Sequence, residues 1–87
     1  MIIGLLPRPK TNNIFKENLK EANRRLVDIS RQHNSCTFVP VHKLFLDHQD
    51  CHDHQVAPGL HVRDQIHLNR RGGTILGEHI FKRLMHL

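Results

Sequence analysis

The feature that most constrains the fold is a continuous apolar run at residues 1–6, Met-Ile-Ile-Gly-Leu-Leu, which ends at Pro7. A run that is apolar on both faces is typical of a strand inside a parallel sheet, because helices cover both sides of such a sheet. Pro7 and Pro9 stop the run. It is also far shorter than the roughly 20 apolar residues that a membrane-spanning helix needs. We therefore expect a short buried strand here and no membrane span.

A helix and a second strand are predicted next. Residues 11–13, Thr-Asn-Asn, supply candidate N-cap side chains, and the helix is expected to end near His33. Its apolar residues recur at steps of four and three and form one stripe for the core: Phe15, Leu19, Ala22, Leu26 and Ile29. Residues 37–41 are rich in β-branched side chains and predict a strand, in which Pro40 indicates an edge or terminal position.

The rest of the chain has a weaker pattern. Residues 42–63 predict a short turn around Leu44 and a polar loop with five of the nine histidines, and a second helix is expected after Asn69. The order strand, helix, strand, long loop, helix indicates α/β architecture with a parallel sheet. Because two parallel strands do not form an independent sheet, we expect residues 1–87 to be one part of a single larger domain.

The composition limits the kinds of partner and the cellular compartment that fit this chain. Thirteen Lys and Arg against eight Asp and Glu give a net charge of +5 with histidine neutral, which favours an anionic partner such as nucleic acid. No aromatic stacking platform accompanies these cations, since phenylalanine is the only aromatic type. The two cysteines, Cys36 and Cys51, form no disulfide framework, so a cytoplasmic location fits best. We expect no cofactor.

Four potential metal ligands lie within seven residues, at His48, Cys51, His52 and His54. Such side chains can hold Zn²⁺, but their spacing matches no closed structural zinc site, which normally has paired cysteines. We interpret the segment as a polar loop beside the functional site and keep a metal-binding loop as the alternative. Arg8, between two prolines, could hold a carboxylate or could be an ordinary loop arginine.

The chemistry-bearing pattern is Asp64-Gln-Ile-His67, where the long loop meets the last helix. A carboxylate three residues before an imidazole can reach its Nδ1–H in a turn, which fixes the tautomer and leaves Nε2 as proton acceptor. The pair would then be the base half of a nucleophile–His–Asp triad. The spacing alone also fits a surface turn with a solvated His67.

A family resemblance favours the catalytic interpretation. The block at residues 64–69, Asp-x-x-His-Leu-Asn, followed by glycines, resembles the last conserved block of the SGNH (GDSL-type) hydrolase superfamily. Residues 2–8 look like the late strand and Leu-Leu-Pro-Arg turn of its platelet-activating factor acetylhydrolase-like branch, and residues 18–23 and 37–41 resemble the following helix and last strand. The resemblance implies a flavodoxin-like three-layer α/β/α sandwich that hydrolyses esters, with His67 as general base and Asp64 as its orienting partner.

The chain departs from that family in its other half. It has no Gly-Asp-Ser block and no Gly-x-Asn-Asp block, and its only serines, Ser30 and Ser35, lack a nucleophile context. We therefore expect the C-terminal half of a serine esterase, which would act on a small ester once an N-terminal half completes it. Alone it should be inactive, and its uncovered strand should make it poorly soluble or self-associating. The alternative is an inactive interaction module, or a retroelement-derived esterase-like domain with a basic surface near nucleic acid.

Overall fold

The computed structural model describes residues 1–46 and 56–86 of the chain. This part is a small mixed α/β structure with two α-helices and a two-stranded parallel sheet. The elements in chain order are strand β1 (Ile2–Ile3), helix α1 (Asn13–Gln32), strand β2 (Phe38–Val39), a 3₁₀ helix (His42–Phe45) and helix α2 (Arg70–Met85). The predicted α/β class, its parallel sheet and its two helices are confirmed at this level.

The two strands pair in parallel, with Ile2 opposite Phe38. The Ile2 N–H donates to the Thr37 carbonyl at 2.7 Å, and the Gly4 N–H donates to the Val39 carbonyl at 3.0 Å. In a parallel ladder alternate residues point to opposite edges. The backbone groups of the residue between Ile2 and Gly4 therefore point away from β2, towards the other edge of the sheet.

Both strands are shorter than the expected spans of residues 1–6 and 37–41. After Gly4, the backbone of Leu5 hydrogen-bonds to the side chain of Asn23 instead of to a strand. Val41 leaves the extended conformation, with φ −125° and ψ −6°, and leads into the 3₁₀ helix. Of residues 1–6 only Gly4 is buried, whereas Met1, Ile3 and Leu5 are exposed, so the expected buried strand is found only in part. A ladder also needs a neighbouring strand at each position.

Helix α1 begins where its cap residue predicts. The Asn12 side-chain oxygen accepts a hydrogen bond from the Phe15 N–H at 2.8 Å, and His33 ends the helix in an extended conformation. The predicted apolar stripe is only partly covered, because no residue of α1 is fully buried and Ile29 is 44% exposed. The prediction that this stripe packs into the core is therefore met only in part among the described residues.

The core of the described residues combines the predicted second strand with the following region of weaker sequence pattern. The fully buried side chains are Val39, Val41 and Phe45, and Leu46 and Leu60 are almost fully buried. The carbonyl of Phe45 accepts a hydrogen bond from the Ala57 N–H at 2.8 Å, and Leu46 forms an antiparallel bridge with Val56. Contacts between the 3₁₀ helix and the later loop thus build the core.

Gly4 lets α1 approach the sheet. A Cβ atom at this position would lie 2.9 Å from Cζ of Phe38 and 3.1 Å from Oδ1 of Asn23. The opposite face of the first strand is more open, since the side chains of Met1, Ile3 and Leu5 are each more than two-fifths exposed. In the described residues no helix is long and apolar enough to cross a membrane.

Candidate functional site

A tight loop carries the predicted Asp–His pair to the start of α2. His61 and Leu68 form an antiparallel bridge at its base, and the Val62 N–H donates to the His67 carbonyl at 2.9 Å. Gln65 lies at the tip of the loop with φ 62°, a left-handed backbone conformation that residues other than glycine adopt infrequently. The Gln65 N–H donates to the Val62 carbonyl at 3.0 Å, which closes the turn.

The Asp64 carboxylate both builds this turn and holds the imidazole. Oδ1 accepts hydrogen bonds from the backbone N–H groups of Ile66 and His67, at 2.9 and 3.0 Å. Oδ2 lies 2.5 Å from Nδ1 of His67. The two oxygens therefore have separate tasks, one fixing the backbone and the other fixing the ring. The contact predicted from the three-residue spacing is present.

These hydrogen bonds keep Asp64 ionised. The N–H groups of Ile66 and His67, followed by the His67 side chain, lower the pKa of the Asp64 carboxyl to about 2. An ionised carboxylate on Nδ1 favours the tautomer with the proton on Nδ1, so that a neutral His67 has Nε2 free to accept a proton. The His67 side chain is 77% exposed, so solvent and reactants can reach it.

Asn69 and Gly72 anchor the loop to α2. The Asn69 side-chain oxygen caps the helix by accepting from the Gly72 N–H at 2.9 Å, while its Nδ2 donates to the Gly59 carbonyl at 2.8 Å. The Asn69 N–H donates to the Leu60 carbonyl at 3.0 Å. The sequence predicts that the helix starts after Asn69, but it does not reveal the contact of Asn69 with Gly59, because that contact spans ten residues.

The described residues bring no serine hydroxyl into hydrogen-bond contact with His67. The Ser30 hydroxyl donates to the Val27 carbonyl at 2.7 Å within α1, and neither Ser30 nor Ser35 hydrogen-bonds to His67. In the described residues the pair Asp64–His67 can therefore hold a proton, but no serine hydroxyl lies on His67.

The four potential metal ligands lie in a segment outside the described residues. His48, Cys51, His52 and His54 all fall between residues 46 and 56 and so lie outside the described residues. Within residues 1–46 and 56–86, no group of three or more His, Cys, Asp or Glu side chains could hold a metal ion.

Sequence reasoning misses one further feature, a cavity beside Arg8. The Arg8 guanidinium lies over the Phe15 ring, with Cζ 4.4 Å from the ring centre. The same cavity is lined by Lys20 and His42, which come from different elements. Only Arg8 stands out in the sequence, because of the flanking prolines.

Comparisons with known proteins supply no relative on which to base a function. No protein-family model, no curated protein and no solved structure matches this chain. The resemblance to SGNH hydrolases is therefore confined to the sequence blocks at residues 2–8, 18–23, 37–41 and 64–69.

Proposed function

We propose that residues 1–87 are the C-terminal part of an SGNH-type ester hydrolase domain and supply its histidine base. The observation that carries this proposal is the division of labour in Asp64, whose Oδ1 binds two backbone N–H groups while Oδ2 holds Nδ1 of His67. A simple surface turn needs only the two hydrogen bonds from the backbone N–H groups to Oδ1. The additional contact between Oδ2 and Nδ1 orients an exposed imidazole for proton transfer.

The sheet supports the three-layer sandwich that this family implies. The two described strands are parallel, and parallel sheets are normally larger and covered on both faces. Gly4, which follows β1, lies close to Asn23 of α1, whereas the neighbouring Ile3 side chain is 41% exposed. The proposed complete domain would add further strands beside Ile3 and a second layer of helices over it.

In the proposed mechanism His67 moves a single proton in each half-reaction. As a serine Oγ from another segment attacks the ester carbonyl, Nε2 takes the hydroxyl proton and then delivers it to the departing alcohol. A water molecule repeats the sequence on the acyl-enzyme, and the proton returns to the serine. Asp64 remains ionised throughout and stabilises the imidazolium. Donors for the oxyanion must also come from that other segment.

A second candidate function is supported by the exposed surface of α2. Phe81, Leu84 and Met85 are 63%, 52% and 67% exposed, so the end of this helix presents apolar side chains to solvent. Contiguous apolar surface of this kind is typical of protein–protein contact. Arg70 and Arg71, exposed at the other end of the helix, suit a partner with negative charge such as nucleic acid. This candidate is an inactive interaction module.

The transcript upstream of the Met1 codon distinguishes the two candidates. We expect in-frame codons for a Gly-Asp-Ser block, followed by a Gly-x-Asn-Asp block, ahead of residue 1. Their absence from the mature transcript would contradict the hydrolase proposal and leave the interaction module as the better explanation.

Activity of the longer product then tests the role of His67. With p-nitrophenyl acetate and p-nitrophenyl octanoate as substrates, we expect His67→Ala to lower kcat by about 10²–10⁴-fold, the usual contribution of a general base. His33→Ala removes an exposed histidine at the end of α1 and is the matched control. Equal activity of the two variants would overturn the assignment.

A further inference from the structure

A cavity of about 260 Å³ lies between the turn after β1, the first half of α1 and the 3₁₀ helix. Its apolar lining comes from several elements: Pro7, Phe15, Leu19, Leu46 and Val56. This space is many times the roughly 10–15 Å³ that a single water molecule needs on the same measure, so the cavity can hold a larger molecule. None of its lining residues belongs to the loop that holds Asp64 and His67.

The polar lining is mainly cationic. Arg8, Lys16, Lys20 and His42 line the cavity, and Glu17 is its single acidic residue among those described. No described carboxylate forms an ion pair with Arg8, Lys16 or Lys20. The first turn of α1 also has no acidic residue to offset the positive end of the helix dipole. The cavity thus combines apolar walls with positive charge that the described residues leave uncompensated.

Arg8 is the most constrained of these cations. Its guanidinium is held over the Phe15 ring, and its Nε is buried without a hydrogen-bond partner among the described residues. Two features fix the turn that contains Arg8. The Thr11 hydroxyl donates a hydrogen bond to the Arg8 carbonyl at 3.3 Å, and Lys10 adopts a left-handed conformation with φ 58°. A buried donor without an acceptor costs stability, so the side chain is suited to an acceptor supplied from outside the described residues.

His42 adds apolar character rather than charge. Burial, followed by the nearby charges of Lys20 and Lys43, lowers the pKa of the His42 imidazole. His42 is therefore neutral at pH 7 and contributes a flat ring beside the apolar side chains. The positive charge of the site is left to Arg8 and to the exposed Lys16 and Lys20.

From this arrangement we infer that the cavity binds a medium-chain carboxylate, with the hydrocarbon chain among Phe15, Leu19 and Val56 and the carboxylate on Arg8. A guanidinium presents paired N–H donors in a plane, which matches the two oxygens of a carboxylate. Lys20 provides a second cation for the same head group. The inference stands on this cavity alone and does not depend on the proposed hydrolase function.

Isothermal titration of the chain with octanoate, below its micelle concentration, tests the inference. We expect one octanoate to bind per chain, while acetate lacks the apolar part and octanol lacks the charge, so both should bind at least about tenfold more weakly. Octyl phosphate has the same hydrocarbon chain with a phosphate in place of the carboxylate, so its affinity tests which head group the site prefers. Octanol binding as tightly as octanoate, or tighter binding of octyl phosphate, would overturn the assignment of a carboxylate site.

Variants assign the site to Arg8. We expect Arg8→Met to weaken octanoate binding by about tenfold or more, because a charge-assisted hydrogen bond is lost. Arg31→Met makes the same substitution in the last turn of α1, outside the cavity, and should leave the affinity unchanged. If Arg8→Met loses its circular dichroism spectrum, Lys20→Met replaces it, since Lys20 is exposed and should weaken binding without unfolding. Unchanged affinity in the folded variant would contradict the inference.

Discussion

The side-chain amide of Asn23 pairs with the backbone of Leu5 as a neighbouring strand would. Oδ1 accepts a hydrogen bond from the Leu5 N–H at 2.7 Å, and Nδ2 donates to the Leu5 carbonyl at 3.2 Å. Asn23 belongs to α1, eighteen residues further along the chain, so these two bonds fix the helix to the end of the first strand. They also satisfy backbone groups that would otherwise need a partner strand.

We expect Asn23→Ala to destabilise the protein by about 1–3 kcal/mol, because both backbone groups of Leu5 lose their partner. Asn23→Asp should also destabilise, since the carboxylate keeps the acceptor for the Leu5 N–H but sets its second oxygen against the Leu5 carbonyl oxygen in place of the Nδ2 donor. Thermal unfolding followed by circular dichroism, at one fixed protein concentration, measures both. Asn18→Ala alters an exposed asparagine of the same helix and serves as control. A loss in Asn18→Ala equal to that in Asn23→Ala would contradict this role.

The two adjacent glycines of α2 should respond in opposite ways to alanine. A Cβ atom on Gly72 would collide with the Leu60 carbonyl oxygen, whereas one on Gly73 would meet nothing within 4 Å. We expect Gly72→Ala to destabilise the protein by about 1–3 kcal/mol, because the helix must move away from Leu60. Gly73→Ala should be neutral or stabilising by up to about 1 kcal/mol, since alanine favours helix.

Chemical denaturation of the two alanine variants provides the comparison. Both variants replace a glycine by alanine in the same helix and differ only in what surrounds the new methyl group. The gain from helix propensity is therefore about the same in both and cancels when their stabilities are compared. Two variants of equal stability would mean that α2 does not pack against Leu60 as described.

Local interactions explain what could be predicted from the sequence. Asn12 and Asn69 cap α1 and α2 through bonds that span three residues, and the Asp64–His67 contact spans three residues as well. Such short-range patterns are visible in a one-dimensional sequence. The starts of both helices and the contact within the candidate pair could therefore be inferred from the order of the residues alone.

Long-range contacts explain the rest. The core forms because Phe45 and Leu46 meet the segment that begins at Val56, and no periodic pattern marks those residues. The strand lengths depend on Asn23 and on the turn at Val41 rather than on β propensity. The cavity beside Arg8 likewise joins side chains from separate elements. Sequence reasoning could identify Arg8 as unusual, but it could not place a second cation from α1 beside it.

The chain as it stands should show no serine-dependent esterase activity, because Ser30 is bonded within α1 and neither serine hydrogen-bonds to His67 in the described residues. Hydrolysis of p-nitrophenyl acetate by the 87-residue protein, compared with its Ser30→Ala and Ser35→Ala variants, checks this. Activity that disappears in either serine variant would contradict the expectation. Activity that survives both substitutions but is lost in His67→Ala would indicate that the imidazole itself acts on the ester.

The turn at Asp64 should be stable above about pH 4 and should be lost in strong acid. Its carboxyl has a pKa of about 2 in the folded protein, below the ordinary value of 3.8. A lowered pKa means that ionisation favours the folded turn, so this stabilisation is complete above the ordinary value and disappears as the pH falls through about 2. We expect the amide proton shifts of Ile66 and His67 to titrate together with a midpoint near that value. A midpoint at the ordinary value would contradict the hydrogen bonds to Asp64.

The tautomer of His67 tests the orienting role of Asp64 directly. In the wild-type chain at alkaline pH, ¹⁵N NMR of the imidazole should show the proton on Nδ1 and a bare Nε2, because the ionised Asp64 accepts from Nδ1. Asp64→Asn keeps an oxygen for the N–H groups of Ile66 and His67 but can place an amide donor against Nδ1, so we expect the proton to move to Nε2. That change removes the proton acceptor that a general base needs.

The same spectra contain the control for this experiment. His33 is the residue that ends α1, more than thirty positions before His67 in the sequence, and it should show the same tautomer population in both proteins. A general effect of the substitution would therefore be visible at His33. Folding of the turn is checked independently by nuclear Overhauser contacts between His61 and Leu68, which form the antiparallel bridge at its base without using the Asp64 side chain. A wild-type His67 with the proton already on Nε2 would leave Asp64 as a turn-forming residue only, and the base assigned to His67 would have no orienting partner.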